Sequence, residues 1–309
     1  RRGFANDRLR EVAGSDDYPG IVRATAVSLL AQPFGSNEYQ LLESELGSPD
    51  PLVRIAALRQ VRALPAEIRM RLPGARLLAD PVRGVRIEAA AAYAGLSDLL
   101  PLEEARAFGA AAAEFRSAYE FLASRPDALI ALATFEADEG DITKAVRWYE
   151  QALRIEPRAV TARANLADVF RSLGDEGRAE GLLLEGLELD ENNAALRHAL
   201  GLSYVRSGRP EDALIELRRA AELAPDNPRF AYVLAIALNS LGQPAEALGI
   251  LREAHTRFDG DFDIAIALAT VLRDSGDQEG AREVAHALAR RHPEDRNVAA
   301  LLQSLQVTR

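Results

Sequence analysis

The sequence predicts an all-α fold, a right-handed α–α superhelix assembled from helix pairs, and three observations predict it. Glycines recur every 34 residues, at Gly140, Gly174, Gly208, Gly242 and Gly276. Five residues after them stand Ala145, Ala179, Ala213, Ala247 and Ala281. Eight residues before them stand Leu132, Leu166, Leu200, Leu234 and Leu268. Apolar residues make up 48% of the 309, enough to fill a substantial core.

Each column has a physical reason. A glycine ends the first helix of a pair, where a left-handed or close turn is cheap only without a side chain. Asp141, Asp175 and Asp277 follow directly and are placed to cap the second helix. The alanine lets the two helices cross closely, and the leucine faces the neighbouring helix. Pro157, Pro225 and Pro293 stand where the second helix must stop. The expected repeats are 126–159, 160–193, 194–227, 228–261 and 262–295. Residues 296–309 read as a capping helix with Val298, Leu301, Leu302 and Leu305 on its apolar face.

Residues 1–96 divide into three blocks of 32, each expected to hold two helices, the second starting near a proline. Val22-Arg23, Val53-Arg54 and Val85-Arg86 sit at matching places in the three blocks. Residues 97–125 read as a bridge, with a helix at about 102–123 whose Phe108, Phe115, Tyr119 and Leu122 are apolar. No flexible linker separates the halves, so one semi-rigid curved body is expected.

Two resemblances rest on these motifs. Residues 126–295 resemble tetratricopeptide proteins, and Asp50-Pro51-Leu52-Val53-Arg54 and Asp80-Pro81-Val82-Arg83 resemble the start of the second helix in HEAT-type repeats. A HEAT-like array, a bridge and then repeats containing Ala164-Asn165-Leu166-Ala167-Asp168 and Ala199-Leu200-Gly201 form a suggestive order. It resembles the C-terminal region of certain bacterial multihaem c-type cytochromes. That narrower resemblance implies export and an upstream haem-bearing segment, because no CxxCH motif occurs here. The first residue is Arg1, not Met, and the expectation is a processed or excised part of something longer. Without the cytochrome resemblance, a cytoplasmic location is the alternative.

Composition narrows the chemistry. The net charge of -10 argues against general nucleic-acid binding. Residues 1–96 carry thirteen arginines against eleven acids, and residues 97–309 carry 24 basic against 36 acidic residues. Having no cysteine, the chain has no disulfide, thiolate metal site or covalent haem of its own, although its compartment stays open. No apolar run is long enough to span a membrane. No phosphate-loop, nucleophile-elbow or zincin motif occurs. His286 and His292 are six residues apart, would point to different faces of a helix, and read as helix-end residues. The expectation is therefore a chain without catalysis, cofactor or metal.

In tetratricopeptide proteins the first helices line a concave face, and the resemblance carries that role onto particular positions. Asn165, Asp168, Arg171, His198, Leu202 and Arg206 come from two repeats. Arg229, Tyr232, Asn239, Thr270 and Arg273 come from the next two. His198 reads as a groove or surface residue. An arginine fork suits a carboxylate, asparagine suits an extended backbone, and Tyr232 suits an anchoring role. The expected partner is a protein or peptide segment held by a non-catalytic scaffold. Alternatives are a structural accessory to a haem-bearing domain and an oligomer-forming spacer whose inner face is merely solvated.

Overall fold

The structure is a computed structural model that describes residues 2–30, 34, 36–292 and 295–307. Among the described residues every regular element is helical, and the fold is an all-α solenoid of paired helices. Two compact units divide it, residues 1–169 and 170–309.

The first unit begins with α1 (Arg2–Ala13), α2 (Gly20–Ser28), α3 (Ser36–Glu45) and α4 (Pro51–Arg62). A four-residue α5 (Ala66–Arg69) and a 3-10 segment (Pro73–Ala79) follow, then α6 (Arg83–Tyr93). Two helices were expected in each block of 32, and the third block departs from that. Pro73 cannot donate a backbone hydrogen bond and holds Leu72 extended, at φ -81° and ψ 147°, so no full first helix forms there. A short 3-10 turn at Ser97–Leu99 leads into the long α7 (Leu102–Phe121), then α8 (Pro126–Asp138), α9 (Ile142–Ile155) and α10 (Val160–Ser172), which crosses the boundary between the units.

One apolar core runs through the first unit from Ala13 to Phe135. Phe115 of α7 stacks on Phe135 of α8 at 4.4 Å, and Trp148 packs against the same core. The change of repeat type around α7 therefore interrupts no packing, which is why the compact units do not part there.

Charge ties the first blocks together. Arg23 donates to Glu45 at 2.9 Å, Arg54 to Asp80 at 3.0 Å, and Arg86 to Glu114 at 2.7 Å. Each guanidinium also reaches a backbone carbonyl: Ala13, Ser48 and Asp80 respectively. Arg23 and Arg54 are buried, so these bonds replace lost hydration.

The second unit alternates α11 (Glu176–Leu189), α12 (Ala194–Arg206), α13 (Pro210–Leu223), α14 (Pro228–Ser240), α15 (Pro244–Arg257), α16 (Phe262–Asp274) and α17 (Gln278–Arg291), ending in α18 (Arg296–Val307). The five periodic glycines all take positive φ, between 70° and 89°. Each closes a Schellman turn, for example Asp141 N–H to the Glu136 carbonyl at 2.8 Å and Gly140 N–H to Ala137 at 3.1 Å. Asp141, Asp175 and Asp277 accept from Lys144, Arg178 and Gly280 backbone N–H groups and so cap the helices they precede. Arg209 and Gln243 hold that place in the other repeats without a side-chain cap, and Pro210 and Pro244 supply a pre-set first turn instead. The five periodic alanines and five periodic leucines are all buried. In α18, Val298, Leu301 and Leu305 are buried. The turn expected at Pro293 lies outside the described residues.

Candidate functional site: the first-helix face

The expected site residues belong to the first helices α10, α12, α14 and α16. A 34-residue shift superimposes them in columns, so Leu202, Ile236 and Thr270 share one position and Val205, Asn239 and Arg273 another. In the first unit, Asn165 is half-buried and hydrogen-bonds the hydroxyl of Tyr149, which also pairs with Thr134 at 2.8 Å. Burial pushes that phenol above its ordinary pKa. Asn165 thus serves the packing of its own helix pair. Asp168 is exposed. Arg171, in the second unit, is half-buried.

His198 is not a groove or surface residue. It is 7% exposed, with its ring stacked on Phe230 at 4.6 Å and 28°, and neither ring nitrogen has a hydrogen-bond partner. Burial, reinforced by the nearby positive Arg229, lowers its pKa to about 4, so the imidazole is neutral near pH 7. Phe230 stands on the next first helix, and a flat aromatic ring over position 198 removes it from solvent.

The other residues of the second unit fall into two groups. Thr270 donates its hydroxyl to the Ile266 carbonyl at 2.8 Å, within its own helix. Arg273 pairs with Asp274 at 2.8 Å and donates to Ser304 of α18 at 3.1 Å, so it fastens the last helix. Arg206 lies 3.7 Å from Glu176 and is exposed. Arg229 is exposed, Tyr232 rests half-buried against the core of the unit, and Leu202 and Asn239 are half-buried. Two residues in the same columns carry more exposed apolar surface than these: Val205 at 48% and Ile236 at 37%. The sequence reading sought polar groups and passed over them, although the 34-residue register places both on this face.

Tetratricopeptide repeat models match residues 136–202, 198–262 and 238–305, together more than half of the sequence. The chain belongs to the tetratricopeptide repeat family. Among solved structures this tetratricopeptide protein is similar to PilW, described as a widely conserved type IV pilus biogenesis factor. That match has 17% identity and a TM-score of 0.53 over 72% of this chain and all of PilW. It is also similar to PilF of Pseudomonas aeruginosa, with 19% identity and a TM-score of 0.50, over 74% of this chain and 97% of PilF. These likenesses establish the fold. No curated protein matches the chain by sequence.

Among the described residues of this tetratricopeptide chain, no group of three or more His, Cys, Asp or Glu is placed to hold a metal ion. Nor is any helix among them long and apolar enough to cross a membrane. His286 is exposed in the middle of α17, not at its end, because that helix runs on to Arg291. His292 is the C-cap of α17 and meets Phe262 edge-on at 5.1 Å.

Proposed function

We propose that the chain is a non-catalytic scaffold that holds a protein segment against the first-helix face of its tetratricopeptide repeats. The observation that carries this reading is the exposure of Val205 and Ile236 in register with Leu202 and beside Tyr232. Apolar side chains repeated on one face and left to water are characteristic of an interaction surface. Arg206 and Arg229, both exposed, offer donors to a carboxylate or to backbone carbonyls of such a segment. Arg273 and Thr270 support the face from behind and contribute less to contact.

The test uses a photo-reactive residue at Ile236 in the full chain, in extract of the source cell. A defined protein adduct at Ile236, lost in Tyr232→Ala/Arg229→Ala and absent from a control at Ile215 on α13, supports the reading. Adducts at Ile215 with none at Ile236 would overturn it.

The narrower reading, an accessory region of an exported multihaem cytochrome, rests on the order of the repeat types and gains nothing from the comparisons. Isolation of the intact precursor and an absorption spectrum for haem would decide it.

A further inference from the structure

The second-helix side of residues 170–309 carries two recesses related by one repeat. The first, of about 390 Å³, has Leu234 at its floor, Ile250 on its wall and Arg218 on its rim. The second, of about 430 Å³, places Leu268, Val284 and Arg252 at the positions 34 residues on. Small side chains hollow them out: Ala221, Ala231 and Ala254 line the first, and Gly280 and Ala287 the second. Neither recess contains a residue of the first-helix face described above.

Their rims share one electrostatic character. Around the first, Glu222, Glu246 and Glu253 outnumber Arg218 and Arg257. Around the second, Asp277 and Glu283 outnumber Arg252. The internal pairs are surface pairs: Arg218 with Glu246 at 2.8 Å, Arg257 with Glu253 at 2.9 Å and Arg252 with Asp277 at 3.5 Å. Such pairs contribute little and exchange readily with an incoming cation. Glu283 makes no ion pair among the described residues. His255 lines the second recess, and its Nδ1 is buried without a hydrogen-bond partner.

We propose that this side binds a protein segment that presents two apolar side chains, one for each recess, each next to a lysine or arginine. The apolar floors take the side chains, the surplus carboxylates take the cations, and the 34-residue register sets the two anchors one repeat apart. This is a surface additional to the first-helix face, with the opposite preference in partner charge.

The probe is a set of fluorescein-labelled synthetic helical peptides with two leucines at graded spacings flanked by lysines, titrated into the full chain. Matched peptides carry glutamate for lysine or serine for leucine. At least one lysine–leucine peptide binds saturably, and its control peptides bind at least about tenfold more weakly. Ala221→Trp/Ala287→Trp fills both recesses, and Glu222→Lys/Glu253→Lys/Glu283→Lys reverses exposed charge without touching the core. Each weakens binding at least about tenfold, while Tyr232→Ala/Ile236→Ser leaves it unchanged. Saturation by no peptide, equal binding of the glutamate form, or indifference to charge reversal would overturn the proposal. Loss of binding in Tyr232→Ala/Ile236→Ser would assign the peptides to the first-helix face and overturn it as well.

Discussion

Arg54 donates to Asp80 at 3.0 Å, and the same carboxylate oxygen accepts the backbone N–H of Val82 at 2.8 Å. One acidic side chain thus neutralises a buried guanidinium from α4 and caps the start of α6. Removing it strands a charge in the interior. Asp80→Leu is expected to cost about 3–5 kcal/mol in urea unfolding. Arg54→Met/Asp80→Leu should recover most of that loss, leaving the cap's share of about 1 kcal/mol. A double variant no more stable than Asp80→Leu would mean that the pair is not the source of the effect.

Acid should loosen the second unit through His198. Its pKa is about 4 in the folded chain against an ordinary 6.5, so below pH 6.5 the unfolded chain takes up the proton first. The stability contributed by the neutral ring is complete above pH 6.5 and is lost progressively as pH falls toward 4. His198→Leu should flatten the dependence of the melting midpoint over that window. An unchanged slope in the variant would show that other groups govern it.

The crossing of α12 and α13 has no spare volume. Ala213 is buried there, and a Cβ on Gly201 would lie 2.7 Å from Leu217 Cγ and 3.2 Å from the Ala213 carbonyl. Ala213→Leu is expected to destabilise by about 1–3 kcal/mol through overpacking, and Gly201→Ala in the same direction. Exposed Glu211→Ala serves as the control, with an unfolding midpoint near that of the parent.

At Gly208 the cost of substitution should be purely conformational. Its φ is 70°, and a Cβ there would meet nothing within 4 Å. Gly208→Val is expected to lose about 1–2 kcal/mol, and Gly208→Asn less, because asparagine tolerates the left-handed region. Equal losses for the two in chemical unfolding would point to a contact rather than to backbone strain.

How much could be read from the chain alone follows from how regularly each interaction recurs. The glycine, alanine and leucine columns repeat at a constant 34 residues, so a single register exposes the turns, the crossings and the buried leucines together. The arginine ladder of the first unit does not repeat in this way. Val-Arg pairs mark the donors, but the acceptors Glu45, Asp80 and Glu114 lie 22, 26 and 28 residues further on. His198 was misplaced because its burial depends on Phe230, a side chain 32 residues away on the next first helix. Val205 and Ile236 were overlooked because an apolar residue in a helix reads as core until its neighbours are seen to leave it uncovered.

Around all five periodic glycines there is open space where a side chain would begin. These bends are therefore seams rather than joints: residues spliced in there would emerge into solvent and leave the packed columns on either side intact. The chain can be decorated at regular intervals, or lengthened by whole repeats, without renegotiating its interior.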